Sequence, residues 1–247
     1  MTDPSQQVSQ AAANGSRVGG MISFSLASED IAAAARPLGN QVDWEHRYGA
    51  DQIWSGNPNG TLVHEVERTG PGRVLDVGAG EGGDAIWLVE QGWTVTASDI
   101  SQRALDRIAV AAHERGLAIE CHQADANSLE AYPPQSFDLV SAQYASIPRT
   151  PDGRGINNIL AAVAVGGTLL VVGHDLEPMQ GAIDTSSNSQ RFNPDAYIRV
   201  DDFVEAIRCS PDWDIEASDK RPPARRAPPR PITSTTSCFV PAASSRC

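Results

Sequence analysis

The chain has 247 residues, 40% of them hydrophobic, which is enough for one α/β domain with additions or two small ones, around a substantial core. Its formal net charge of −12 argues against tight, nonspecific nucleic-acid binding, which basic surface drives. No apolar run reaches the length of a membrane span, and the four cysteines, Cys121, Cys209, Cys238 and Cys247, form neither a C-x-x-C nor a regular disulfide framework.

Residues 1–40 are expected to lie outside the folded unit. Met1 to Gly20 is polar, small and rich in Gly, Ser and Gln, the composition of a disordered tail. Glu29 to Ala35 has the marks of a short helix, with Ser28 as N-cap and Pro37 just past its end. Two segments then set aromatics in a polar context, Asp43-Trp-Glu-His-Arg-Tyr48 and Trp54-Ser-Gly-Asn-Pro-Asn59. Leu62, Val63 and Val66 predict a helix leading to Gly70-Pro-Gly72.

Arg73-Val-Leu-Asp-Val-Gly-Ala-Gly-Glu-Gly-Gly-Asp84 is the pivotal stretch. Val74, Leu75 and Val77 form the apolar run of a buried parallel strand. Gly78, Gly80 and Gly82 make a turn, after which Ala85, Leu88 and Val89 recur at helical spacing. Such a turn lets backbone N–H groups approach a ligand, and the helix N-terminus adds partial positive charge. Gly78, Gly80 and Gly83 also satisfy G-x-G-x-x-G, so a dinucleotide must be considered. Asp76 weighs against it, because a carboxylate two residues before the first glycine repels phosphate.

A second strand, Thr94 to Ser98, ends at Asp99, whose carboxylate can accept both hydroxyl protons of a ribose. Ser101 caps a helix carrying Ala104, Leu105, Ile108 and Ala112. Ala118 to Ala124 predicts a third strand, followed by Asp125-Ala126, where Asp can also be an ordinary turn-former. Phe137 to Gln143 is a fourth strand, and Gln143, Tyr144 and Ser146 lie at its carboxyl end, the edge that holds ligands in open α/β sheets. Asn157 to Val165 predicts a helix, which Gly166-Gly167 turns into a fifth strand, Thr168 to Val172. Gly173-His174-Asp175 then reaches the same edge. Gly181 to Asn193 is expected as a loop over the substrate side, Ala196 to Ile207 as a helix and Trp213 to Ala217 as a sixth strand. The folded unit is expected to span 41–219. The remainder, 220–247, is rich in Pro and Arg, lacks acidic residues and is expected to be disordered.

The Asp76-x-Gly-x-Gly-x-Gly82 pattern resembles motif I of the class I S-adenosylmethionine-dependent methyltransferases. The aromatic segments before it resemble those of small bacterial methyltransferases of the tellurite-resistance type. The resemblance covers Asp43 to Asp175. It implies a Rossmann-like α/β fold, a mostly parallel sheet with helices on both faces, and S-adenosyl-L-methionine as cofactor. It implies that Gly78, Gly80 and Gly82 approach the amino-acid part of the cofactor and that Asp76 contacts it. Asp99, with Ile100 beside it, would take the ribose, Asp125 the adenine amino group and the Ala126 N–H a ring nitrogen. Gln143 joins this set, and Tyr48 or Trp54 would offer an aromatic face to the sulfonium.

The implied reaction moves a methyl group to a small-molecule acceptor by in-line displacement. His174 is the candidate base if the acceptor must lose a proton, with Tyr144 next; a strand-end histidine satisfied by backbone groups is the alternative for His174. Tyr132-Pro-Pro134 precedes the fourth strand and no Asn/Asp-Pro-Pro-Tyr follows it, which argues against DNA amino-methylation. No ligand spacing suggests a metal. A nicotinamide-dependent oxidoreductase is the rival enzyme class, and a protein that binds the cofactor without turnover is the non-enzyme rival. The acceptor and the oligomeric state stay open. The cysteine pattern makes the cytosol the expected compartment, and no basic region followed by a long apolar core suggests a signal peptide; the single lysine, Lys220, among many Arg and Ala points to GC-rich coding and a bacterial source.

The family usually ends in a seventh, antiparallel strand beside the fifth, and none is visible. Ile232-Thr-Ser-Thr-Thr-Ser-Cys-Phe-Val-Pro-Ala242 can be back-translated with GC-rich codons whose neighbouring frame gives His-His-Ile-His-Asp-Val-Val-Leu-Arg-Ala-Arg. That is a strand-like sequence, so a frameshifted tail is expected.

Overall fold

The computed structural model describes residues 18–24, 41–49, 51–67, 69–174, 194–208 and 210–220. The expected helix from Glu29 to Ala35, the loop from Gly181 to Asn193 and the altered tail beyond residue 220 lie outside the described residues.

In chain order the elements are β1 (Val18–Phe24), α1 (Gln41–Arg47), α2 (Gly60–Val66), β2 (Arg73–Val77), α3 (Gly83–Glu90), β3 (Thr94–Asp99), α4 (Gln102–Glu114) and β4 (Glu120–Gln123). They continue with β5 (Phe137–Gln143), α5 (Arg154–Ala162), β6 (Val163–Gly173), a 3-10 turn at Pro194–Ala196, α6 (Val200–Ile207) and β7 (Trp213–Lys220). The strands form one sheet in the order β4-β3-β2-β5-β6-β1-β7, with parallel pairing throughout. The chain reverses its direction of winding between β2 and β5, which opens a crevice at the carboxyl ends of those strands.

The central strands are apolar on both faces because helices cover both. Leu75 and Val77 of β2, Val140 and Ala142 of β5 and Leu169 and Val171 of β6 pack with Ile159, Val200 and Phe203 of α5 and α6. Val74, Leu139, Leu170 and Val172 face the other way, against Leu62, Leu88, Leu105 and Ile108 of α2, α3 and α4. Each fully buried side chain of this kind contributes roughly 1.5–3 kcal/mol. Ser101 caps α4 as its sequence predicts, its Oγ accepting the Ala104 N–H at 3.3 Å.

Besides α1, a short helix the sequence reading did not predict, two elements depart from it. Helix α5 stops at Ala162, and Val163 to Val165, expected as helix, opens β6. The cause is nonlocal. The carbonyls of Ala161 and Ala162 accept the N–H groups of Gln135 (2.7 Å) and Ser136 (3.0 Å), and Val163 pairs with Phe137. β-Branched valines favour the extended alternative.

The second departure is β1, a strand that the composition does not predict. It runs parallel to both β6 and β7, aligning Gly19 with Thr168 and Asp214. It fills the position beside β6, the fifth strand of the sequence reading, where the family's antiparallel strand is expected. An open edge on a long central strand presents a row of unpaired N–H and C=O groups, and a parallel N-terminal strand satisfies them.

Gly82 joins the turn to the core. Its φ is +83°, and a methyl group there would stand 2.7 Å from Ile108 Cγ1. Gly82→Ala is therefore expected to destabilise the protein by about 2–4 kcal/mol, from left-handed backbone strain plus overpacking. Denaturant unfolding measures this, and on an Ile108→Ala background, which removes the clashing Cγ1, the cost of Gly82→Ala should fall by the packing part.

Candidate active site

The glycine turn following β2 faces the carboxyl ends of β3 and β5. A methyl group on Gly78 would touch Ala145 Cβ at 3.0 Å, so the turn lies directly against the segment leaving β5. Gly78 and Ala79 N–H donate to the Ser98 carbonyl at 2.8 and 2.9 Å, and Gly80 N–H donates to Asp99 Oδ2 at 2.9 Å. These amides hold the turn's shape, whereas the sequence reading aims the turn's amides at a ligand. Gly82 faces Ile108, so its requirement for glycine is met within the core.

Three carboxylates are buried around the turn. Asp76 is 2% exposed and its Oδ2 has no hydrogen-bond partner. Burial raises its pKa well above the usual value, and the carboxylates of Asp84 and Asp99 raise it further. Asp84, at the start of α3, accepts the Asn59 backbone N–H at 2.6 Å and its side-chain Nδ2 at 2.7 Å. Burial raises the Asp84 carboxyl too, against the lowering effect of these bonds. Asp99 is raised by burial and lowered in part by N–H donors from Ser101 and Gly80. A carboxylate has about four lone-pair sites, so Asp99 keeps acceptor capacity beyond those two bonds.

Gln143, at the end of β5, is buried; its Nε2 donates to Ser141 Oγ at 3.0 Å and its Oε1 has no partner. Ser141 is the register partner of Asp76. Asp76 and Gln143 thus stand on one face of neighbouring strands, each with a buried acceptor atom lacking a donor. A donor-rich, positively charged group fits this arrangement; a phosphate does not.

The structure also brings together Tyr144 and His174. Their rings lie 4.6 Å apart, tilted by 37°, at the carboxyl ends of β5 and β6. Tyr144 is held at φ +57°, with its N–H donating to the Val172 carbonyl at 2.8 Å. A bulky residue in the left-handed region costs roughly 1–3 kcal/mol, a cost that concentrates at functional sites.

Asp125 is exposed, and its Oδ1 accepts the Asn127 N–H at 2.8 Å, the turn-forming role its alternative reading gave. Ala126 is buried and its carbonyl accepts from Asn158 Nδ2 at 2.7 Å; the Ile100 carbonyl accepts from Gln123 Nε2 at 3.2 Å. Tyr48 is buried with its hydroxyl accepting the Trp54 Nε1–H at 3.3 Å, and burial pushes that hydroxyl well above the usual tyrosine range. Arg47 lies 5.4 Å from the ring centroids of both Trp44 and Trp54, so a cation–π contact within the chain already uses these rings.

Sequence reasoning missed three participants. Asp84 carried the ordinary signal of an acid in a first helical turn. Glu81 and Arg107, which form a half-buried ion pair, carried none.

A doubly wound parallel sheet with a glycine turn and acids after its first two central strands defines a class I, Rossmann-like ligand-binding domain. Residues 74–167 match the family described as "Methyltransferase domain", and this segment is a class I S-adenosylmethionine-dependent methyltransferase domain. An uncharacterized protein of Mycobacterium tuberculosis is 30% identical over 157 residues, covering 63% of this chain and 56% of that protein. Human glycine N-methyltransferase is 32% identical over 150 residues, covering 53% of this chain and 50% of the enzyme. The chain thus spans about half the length of these curated relatives. TehB from Haemophilus influenzae superposes with a TM-score of 0.41 at 21% identity, over 53% of this chain and 44% of that one. Among the described residues, no helix is long and apolar enough to cross a membrane.

The buried carboxyl of Asp76 gives a pH-dependent expectation. Its native pKa is raised, so its contribution to stability is complete below the unfolded value near 3.8 and is lost as pH rises through the native value. Ligand-free Asp76→Asn should melt above wild type at about pH 7.5, and the gap should close towards about pH 4. Thermal unfolding across that range checks it.

Proposed function

We propose that the protein transfers the methyl group of S-adenosylmethionine to a small-molecule acceptor, as a cytosolic enzyme whose catalytic unit spans 41–219, with β1 from the preceding segment completing its sheet. The observation that carries this reading is the pair of buried, partnerless acceptors, Asp76 Oδ2 and Gln143 Oε1, beside the glycine turn. The cofactor's amino-acid ammonium supplies the donors and the charge they lack. The diphosphate of a nicotinamide cofactor would meet Asp76, Asp84 and Asp99 with like charge, so the oxidoreductase alternative finds no support here.

The other contacts belong to the same proposal. Asp99 directs its remaining lone pairs to the ribose hydroxyls. Asp125 keeps one carboxylate oxygen for the adenine amino group, next to Ala126. Tyr48 and Trp54 cover the glycine turn. When bound, the cofactor supplies a methyl group already made electrophilic by its sulfonium. The protein's task is then to align the acceptor and exclude water, and proximity supplies much of the rate. Tyr144 and His174 form the wall on the acceptor side. His174 takes a proton from an acceptor that must lose one, and Tyr144 orients its ring.

S-Adenosylmethionine at 100 times its dissociation constant should stabilise the protein by about 2.7 kcal/mol, as a ligand bound only by the native state does. Thermal shift reads this, and a shift with NADH alone would overturn the reading. Asp99→Ala should lose roughly 1.5–3 kcal/mol of cofactor affinity, the range for charged hydrogen bonds. His174→Ala should retain cofactor affinity and lose methyl transfer. Titration of both folded variants separates the roles, and equal, large losses would move His174 into the cofactor's own contacts.

A further inference from the structure

We infer that Glu81 and Arg107 are positioning residues that dock segment 48–54 onto the glycine turn, so that Tyr48 and Trp54 close one side of the cofactor site. The inference rests on the methyltransferase reading above.

Segment 48–54 contains no helix or strand among its described residues, yet several of its backbone groups are bonded by two side chains. Glu81 accepts the N–H groups of Ile53, at 3.1 Å, and of Trp54, at 2.7 Å. Arg107 donates to the carbonyls of Gly49 at 2.6 Å, Asp51 at 2.9 Å and Tyr48 at 3.4 Å. Glu81 and Arg107 bond directly to each other. One carboxylate from the turn and one guanidinium from α4 thereby replace the ladder that regular structure would provide. The planar, five-donor fork of arginine suits this task, since it reaches several carbonyls and a carboxylate together.

The result is a defined contact between cover and turn. A methyl group on Gly80 would meet the Tyr48 hydroxyl at 3.1 Å and Trp54 Nε1 at 3.4 Å. Glu81 sits between Gly80 and Gly82, but its side chain, 4% exposed, is committed to the cover. Its charge is thereby matched by Arg107 and kept from the ligand-facing side. The Asn59–Asp84 bonds fix the far end of the same connection, leaving Glu81 and Arg107 to set its middle.

The test is calorimetric titration of the full chain with S-adenosylhomocysteine, using wild type, Glu81→Gln, Trp54→Ala and the double variant. Glu81→Gln should weaken binding about tenfold or more, as loss of charged hydrogen bonds does. In the double variant the two losses should combine to clearly less than their product, because Glu81 acts partly through Trp54. Hydrogen exchange supplies a readout independent of cofactor: in Glu81→Gln the Ile53 and Trp54 amides should lose protection while those of Leu88 and Leu105 keep it. If Glu81→Gln does not fold, Arg107→Lys, which keeps the charge and loses the fork, should weaken binding in the same direction. Unchanged affinity in the folded variant, or losses that multiply in the double variant, would overturn the inference. A wild-type chain that binds no S-adenosylhomocysteine would instead overturn the methyltransferase reading, and this inference with it.

Discussion

Negative charge concentrated beneath the glycine turn is the constraint on which the site depends. Asp76, Asp84 and Asp99 come from three separate elements, and the fold buries all three with Asp76 in the fields of the other two. Two of them are partly offset by N–H donors, Asp84 by Asn59 and Asp99 by Gly80 and Ser101. Asp76 has no such donor at Oδ2. Burial without a partner costs free energy in the ligand-free protein, and a cationic ligand group recovers it. Affinity for such a group and loss of stability in its absence therefore share one origin.

The same turn also governs what lies above it. The Gly78, Ala79 and Gly80 amides are spent on Ser98 and Asp99, which locks the first half of the turn to β3. Glu81 extends that rigidity outward to the aromatic cover, and Gly82 extends it inward to Ile108. The turn thus couples sheet, helix α4 and cover, while the acceptor side is made by different strand ends, with Tyr144 and His174 in contact.

What could be read from the sequence was local. The strand–turn–helix at Arg73 to Glu90, the acid ending β3 and the Ser101 cap each declare themselves within a few residues, because periodicity and turn chemistry are short-range signals. Gln143, Tyr144 and His174 were placed correctly at one edge because every parallel strand delivers its carboxyl end there. The end of α5 was missed because distant carbonyl partners, Gln135 and Ser136, decide it. The Glu81–Arg107 pair joins residues 26 positions apart, and no pattern in one sequence marks it. β1 was missed for a related reason: two adjacent glycines weaken its strand signal, and the edge of β6 supplies the partner.

That strand has a consequence for how the chain assembles. Of the described elements β1 is synthesised first, but its partners in β6 and β7 lie about 150 and 195 residues later. It cannot pair until nearly the whole folded unit has left the ribosome. Loop closure over such a span raises contact order and slows this step relative to the local β–α–β units around the glycine turn. The first of the described strands to be made is thus among the last to find its place, and the cofactor side of the domain can form before the outer sheet is complete.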